Sequence, residues 1–158
     1  MVRKKIYFTS DLHIGHKNCL NFDNRPFNDL DHMHRVLVNN FNATVPEDGI
    51  TYFLGDIGMC TFELSKSVID QMNGTKILIL GNHDGNINRM YRMGFSAVMN
   101  NASMMIAGEL VTISHCPLTG VLREDTTGMR GAIAGENWHG EKKNARFSVL
   151  DSGQYHLH

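Results

Sequence analysis

Residues 76–84, Lys-Ile-Leu-Ile-Leu-Gly-Asn-His-Asp, contain the stretch that decides the fold. Four consecutive apolar residues predict a strand that is buried on both faces, as strands of parallel sheets are. The polar sequence Gly-Asn-His-Asp follows this strand without a linker. Because ligands of open α/β sheets bind beyond the carboxyl ends of the strands, the stretch predicts a central strand and a functional loop together.

The same organisation occurs at two earlier points in the chain. Residues 6–9 form an apolar run before Asp11-Leu12-His13, and residues 50–54 form another before Gly55-Asp56. The segments between the strands have helical periodicity. These predicted helices are residues 31–41 with Asp29 or Asp31 as the cap, a helix from Thr61 that ends at Asn73-Gly74, and residues 88–93, closed by Gly94.

The second half of the chain has a different pattern. Residues 103–107 and 110–114 are apolar runs around a Gly-Glu turn and predict a hairpin, whose second strand ends at His115. Residues 126–140 hold four glycines with little periodicity, which indicates a mobile loop. Alternating strands and helices followed by a hairpin predict an α/β fold with a mixed sheet.

The composition is that of one ordinary globular domain covering residues 1–158. The chain has 42% apolar and 20% charged residues and a formal net charge of −1. The charge does not favour a nucleic-acid partner, although a local basic patch would still allow one. Three cysteines indicate reduced thiols in a cytoplasmic protein, and no apolar run is long enough for a membrane span.

The polar loops hold the ligand types of a dinuclear metal site. Two divalent cations about 3.5–4 Å apart can activate a water and offset charge on a phosphoryl group. Asp56 is the natural bridge, Asp11 and His13 can bind one cation, and Asn82 and His115 can bind the other. Mixed oxygen and nitrogen ligands favour Mn²⁺, with Fe, Zn²⁺ and Ni²⁺ as alternatives.

Two more residues of the Gly-Asn-His-Asp loop are candidates for catalysis. If Asn82 points at the metal, His83 can face the substrate as a general acid while a metal-bound hydroxide attacks in line. Asp84 can orient His83 through a hydrogen bond, or it can cap the helix that follows, and the sequence leaves both roles open.

These motifs resemble the calcineurin-like metallophosphoesterase superfamily, whose pattern is Asp-x-His, Gly-Asp, Gly-Asn-His-Asp/Glu, His and then Gly-His-x-His. The resemblance is greatest to small bacterial and phage phosphoesterases, which share features like residues 10–16, Arg25-Pro26-Phe27 and residues 54–56. It implies an α/β sandwich of mixed β-sheets flanked by helices. It also implies metal ligands at Asp11, His13, Asp56, Asn82 and His115, with His83 as the catalytic histidine.

The closing motif departs from this pattern, because the chain ends with Tyr155-His156-Leu157-His158. In one interpretation His156 and His158 are the closing metal ligands. In the other, Leu157-His158 precedes a Gly-His-x-His motif that is missing, and the chain is C-terminally truncated. We favour the second interpretation, which predicts weakened metal binding.

Several other residues have a functional and a purely structural interpretation. His16 can contact substrate or only form local hydrogen bonds, and Arg130 and Arg89 can bind phosphate or be surface charges. His139, beside Trp138, can belong to a lid or can anchor its loop. His32 and His34 lie on a predicted helix and are expected to be solvated.

The sequence therefore predicts a dinuclear metal-dependent phosphoesterase that acts on a small phosphomonoester or phosphodiester, such as a nucleotide or cyclic nucleotide. The alternative is a binding or scaffold protein that keeps the fold without turnover. The presence of His83 favours the enzyme, and the incomplete closing motif favours the alternative. A nuclease would need a basic groove, which the net charge disfavours.

Overall fold

A four-stranded parallel sheet forms the centre of the molecule. The computed structural model describes residues 5–106, 109–116 and 129–134. The strands are β1 (Ile6–Thr9), β2 (Ile50–Phe53), β3 (Thr75–Ile79) and β4 (Ala97–Met99), and they are adjacent in that order. The prediction that the early strands are parallel is confirmed, with Ile6 opposite Ile50 and Ile50 opposite Thr75.

Helices connect these strands, and all except the first, four-residue helix begin at a side-chain cap. They are α1 (Cys19–Phe22), α2 (Leu30–Thr44), α3 (Phe62–Ile69) and α4 (Ile87–Met93). Asp29 is the cap of α2 and accepts from the His32 amide, while Thr61 caps α3 as predicted. Gly94 ends α4 in the left-handed conformation, which is the usual role of glycine after a helix.

A second sheet contains β5 (Asn101–Ile106), β6 (Glu109–Ser114) and β7 (Met129–Ala134). The β5–β6 pair is the predicted antiparallel hairpin. The prediction of a loop over residues 126–140 is wrong at Met129–Ala134, which pairs parallel with β6. A glycine-rich segment without periodicity gives no local sign of a strand, because this strand is defined by backbone pairing to a partner distant in sequence.

Apolar side chains cover both faces of the central sheet. Phe53 and Leu78 belong to a core cluster that includes Met33 and Phe41 of α2. A second cluster joins residues of both sheets, namely Phe8, Leu54, Ile79 and Ile113. The structure is therefore an α/β sandwich of two sheets with helices packed on the outer face of the central one.

His34 corrects one expectation about α2. It is buried, with 7% of its surface exposed, and its Nε2 accepts a 3.0 Å hydrogen bond from the Gly15 amide. The predicted solvated position is wrong because the buried face of α2 extends beyond Met33 and Leu37 to include this histidine. Within the described ranges, no helix is long and apolar enough to cross a membrane.

Candidate metal centre

The loops that follow β1 and β2 lie side by side at the carboxyl edge of the central sheet. The Asp11 amide donates to the Gly55 carbonyl oxygen at 3.1 Å, and the His13 amide donates to the Asp56 carbonyl oxygen at 3.1 Å. The Ile14 amide continues this series with a bond to the Ile57 carbonyl oxygen. Backbone hydrogen bonds therefore fix the two loops against each other.

Three candidate ligands have a backbone conformation that L-residues rarely adopt. The φ angles of Asp11, His13 and Asp56 are 54°, 51° and 54°. Each such left-handed residue costs about 1–2 kcal/mol. Strained backbone of this kind clusters at functional sites, where the surrounding structure holds it in place. The conformation aims these side chains toward one region at the end of the sheet.

The Asp56 carboxylate lies between two groups of side chains. Its Oδ2 is 3.9 Å from His13 Nε2, which is itself 3.7 Å from Asp11 Oδ1. Its Oδ1 is 3.6 Å from His115 Nε2 and accepts a hydrogen bond from the His83 amide. The two oxygens of one carboxylate thus face different partners, which is the arrangement of a bridging ligand.

His115 has a tautomer that suits a metal ligand. Its Nδ1 is 2.7 Å from the Leu54 carbonyl oxygen, and because a carbonyl only accepts, Nδ1 carries the proton. In the neutral ring, Nε2 then presents its lone pair toward Asn82 Oδ1, 2.9 Å away. A backbone carbonyl that fixes the tautomer in this way is typical of metal-binding histidines.

The arrangement of these side chains fits a bound cation. Ligand atoms of Asp11, His13 and Asp56 all lie within 4.8 Å of one another. Asp11 Oδ2 is buried and has no hydrogen-bond partner among the described residues. A buried, unsatisfied carboxylate oxygen is costly unless a cation or another donor binds it. These residues could therefore hold a divalent metal.

Two glycines allow the loops to approach this closely. A Cβ on Gly55, whose φ is +86°, would lie 2.5 Å from His115 Nδ1 and 2.6 Å from the Gly81 Cα. A Cβ on Gly81 would lie 2.5 Å from Asp56 Oδ1. The glycines of the Gly-Asp and Gly-Asn-His-Asp motifs are therefore required by contact between the loops.

Asp84 has neither of its two predicted contacts. Its carboxylate accepts from the amides of Gly81 at 2.7 Å, Ile57 at 2.9 Å and Asp56 at 3.0 Å. The cap of α4 is Asn86, so the capping role predicted for Asp84 is wrong. Burial raises the pKa of Asp84, although the hydrogen bonds from the backbone amides lower it in part. The observed role is to clamp the loops after β2 and β3 together.

The family model for calcineurin-like phosphoesterases matches residues 4–150. The chain belongs to this family. The family relation supports metal-dependent hydrolysis of phosphoesters, because the matched range includes every ligand candidate up to His115.

Two protein relatives cover part of the chain. An uncharacterized protein of Methanocaldococcus jannaschii is 37% identical over 86 residues, which are 53% of this chain and 49% of that protein. The Gene 66 protein of Mycobacterium phage L5 is 38% identical over 82 residues, or 50% of this chain and 39% of that protein. The matches thus span half or less of the length of these relatives.

A solved structure supports the fold of this calcineurin-like phosphoesterase chain. A protein of unknown function from Aquifex aeolicus superposes with a TM-score of 0.62 at 23% identity, over 78% of this chain and 67% of the other. At this identity the likeness concerns the fold alone.

Arg25 is a member of the site that the sequence did not assign. It is buried, and its Nη1 donates to the Leu12 carbonyl oxygen at 3.0 Å while Nη2 donates to the Asp11 carbonyl oxygen at 2.9 Å. Asp23 lies 3.4 Å from its Nε. The guanidinium thus binds the backbone of the strained loop after β1. Only the Arg-Pro-Phe motif pointed to this residue, and the motif gives no role.

The remaining candidates are placed in different ways. The His16 ring lies 5.6 Å from the His13 ring, and desolvation by burial lowers the pKa of His16. The His16 backbone amide donates to the His13 carbonyl oxygen, and the buried Nδ1 of its side chain has no hydrogen-bond partner among the described residues. Arg130 lies on β7. The predictions for His139, His156 and His158, including the closing motif, lie outside the described residues.

Proposed function

We propose that this chain hydrolyses a small phosphoester with the help of two divalent metal ions held at the carboxyl edge of the central sheet. The observation that supports this most strongly is the position of Asp56. Its two oxygens face separate ligand groups, Asp11 with His13 on one side and His115 on the other. One cation would need only one such group, whereas a bridging carboxylate serves a pair.

The proposed ligand sets follow from these contacts. Asp11, His13 and Asp56 Oδ2 would hold one cation, and Asp56 Oδ1, Asn82 and His115 would hold the other. When bound, the cations would activate a water and offset negative charge on the phosphoryl oxygens. Carboxylate, amide and imidazole ligands suit Mn²⁺, Fe or Zn²⁺ better than Mg²⁺ or Ca²⁺.

His83 is proposed as the general acid. Its backbone amide donates to Asp56 Oδ1 at 3.2 Å, which fixes the residue beside the ligand groups. Its side chain is exposed and can meet a substrate from solvent. A protonated imidazole nitrogen of His83 would donate its proton to the leaving oxygen as the ester bond breaks. The leaving group would then depart as a neutral alcohol.

The test is to purify the chain with Mn²⁺ and to measure bound metal together with hydrolysis of aryl phosphomonoesters and phosphodiesters. Asp56→Asn should lose bound metal and activity. His83→Ala should keep the metal and lose about 100-fold or more in kcat, which is the usual size of a general-acid effect. His32→Ala, a histidine on α2 away from the ligand cluster, is the control and should keep both.

Two outcomes would contradict the proposal. If the wild-type chain bound no metal, the ligand assignment would be wrong. If metal bound but neither ester was hydrolysed faster than in the absence of protein, the non-catalytic binding role would be the better interpretation.

A further inference from the structure

A pocket of about 380 Å³ adjoins the proposed metal centre. It lies between the loop after β2, from Ile57 to Cys60, and helix α4 with the residues before it. His83 and Asp84 form part of its wall. The pocket therefore begins at the proposed general acid, on the side where a leaving group would depart.

The pocket contains a cationic side chain that forms no ion pair with any described carboxylate. Arg89 lines it and is half-buried, and no carboxylate within the described ranges pairs with it. Its guanidinium lies 5.1 Å from the centroid of the Phe62 ring. A Cβ on Gly85 would meet its Cδ at 2.7 Å, so the absence of a side chain at Gly85 allows Arg89 to lie across that loop.

The rest of the wall combines apolar residues with polar ones, which include Ser65 and Asp84. Ile57, Met90 and Met93 are buried residues whose side chains line the pocket, and Met59 lines it with 45% of its surface exposed. Methionine side chains adapt to irregular ligand shapes. A cavity that combines these apolar residues with the Arg89 cation suits a ligand that has an apolar part and an anionic group.

We infer that this pocket binds the leaving group of the substrate, and that Arg89 binds a second anionic group, a carboxylate or a phosphate, on that leaving group. The inference rests on the proposed function, since it places the ester phosphate at the metal centre. Guanidinium binds both anions in a two-point geometry, and the Arg89 guanidinium lies over the Phe62 ring. The substrate class is thus a phosphoester of an apolar alcohol or phenol that carries a further negative charge.

The experiment compares three esters with the Mn²⁺-loaded chain: phenyl phosphate, 4-carboxyphenyl phosphate and 4-phosphonophenyl phosphate. The wild-type chain should have a higher kcat/KM for at least one anionic ester than for phenyl phosphate. Arg89→Gln should lower this preference about tenfold, the scale of one charge-assisted hydrogen bond. Arg89→Lys should keep part of it. The two anionic esters distinguish a carboxylate from a phosphate site.

Arg92→Gln is the matched control. Arg92 lies on the same helix and 5.5 Å from the same Phe62 ring, but it is exposed and does not line the pocket. Its removal should leave the preference unchanged. A preference that survived Arg89→Gln, or that fell equally in both variants, would overturn the inference.

Failure of the proposed function would be visible separately. Calorimetric titration with benzylphosphonate and 4-carboxybenzylphosphonate needs no turnover. If no ester is hydrolysed but the carboxylated phosphonate binds more tightly in an Arg89-dependent manner, the pocket assignment stands and the hydrolase proposal fails. If hydrolysis occurs and wild type shows no preference, the pocket assignment alone fails.

Discussion

Arg25 Nη2 donates a 2.9 Å hydrogen bond to the backbone carbonyl oxygen of Asp11, whose carboxylate belongs to the candidate metal cluster. The same guanidinium also binds the Leu12 carbonyl oxygen. A buried arginine that donates hydrogen bonds to two successive carbonyl oxygens fixes the backbone path of the loop, in addition to placing a positive charge beside it. Arg25 therefore positions the backbone of the candidate ligands after β1.

Replacing Arg25 with Gln should weaken Mn²⁺ binding about 10- to 100-fold, the range found for residues that orient metal ligands. Arg25→Lys should restore little, because an ammonium group cannot bind both carbonyls in the same fork geometry. The measurement is calorimetric titration of the metal-free chain. Arg35→Gln, an exposed arginine on α2, is the control. If Arg25→Gln lowers the stability of the metal-free chain but leaves its affinity for Mn²⁺ unchanged, Arg25 has a role in folding only.

Replacing Asp84 with Asn should lower the free energy of unfolding by about 1–3 kcal/mol, because an amide group would then face backbone N–H donors. Denaturant titration of the metal-free chain measures this change. Asp70→Asn is the comparison, since its exposed pair with Lys66 at 2.7 Å should contribute less than about 1 kcal/mol. Unchanged stability of Asp84→Asn would argue against the clamp between the loops.

His34 should make the chain less stable in mild acid. Desolvation by burial lowers the pKa of His34 below 6.5, and the nearby Asp31 opposes this only in part. The unfolded state therefore binds a proton that the folded state does not, so stability falls as the pH decreases from 6.5 toward the lowered pKa. One titrating group changes the free energy of unfolding by at most about 1.4 kcal/mol per pH unit.

Unfolding titrations of the wild type and of His34→Gln between neutral and acidic pH measure this contribution as the difference between two slopes. The glutamine oxygen can still accept from the Gly15 amide, so the variant isolates the protonation from the hydrogen bond. His32→Gln should keep the wild-type slope. Identical slopes for the wild type and His34→Gln would show that His34 is not the responsible group.

Gly55→Ala should be more harmful than Gly94→Ala, although both glycines have positive φ angles, +86° and +114°. At Gly94 the nearest contact of an added Cβ is Asp70 Oδ1 at 3.6 Å. Only the left-handed backbone conformation therefore lowers the free energy of unfolding of this variant, by about 1–2 kcal/mol. At Gly55 the added Cβ also collides with His115 and Gly81, which adds about 1–3 kcal/mol. Denaturant titration compares the two variants, and equal losses would argue against tight contact between the loops.

The strands and caps of the central sheet were predictable because their signals are local. The strands Ile6–Thr9, Ile50–Phe53 and Thr75–Ile79 each carry buried apolar residues, and Thr61 has the side chain that a helix start requires. The ligand candidates were predictable for the same reason, since each directly follows a strand. The parallel order of the strands then brings Asp11 and Asp56 together.

The features that the sequence did not reveal depend on partners distant in the chain. Arg25 binds backbone carbonyls, and a carbonyl has no sequence signature. Burial of His34 depends on the rotation of α2 against the Gly15 loop, and the contacts of Asp84 depend on how the loops after β2 and β3 meet. Strand β7 is defined by its backbone pairing with β6.

Part of the framework of the candidate metal centre does not depend on the side chains of the candidate ligands. Backbone hydrogen bonds from Asp11 to Gly55 and from His13 to Asp56 join the two loops, and no ligand side chain takes part in them. Exchanging one ligand for another of similar size should therefore alter which cation binds while the loops keep their shape. We expect metal preference at this site to change through single substitutions of the candidate ligands, without a change in the backbone of the two loops.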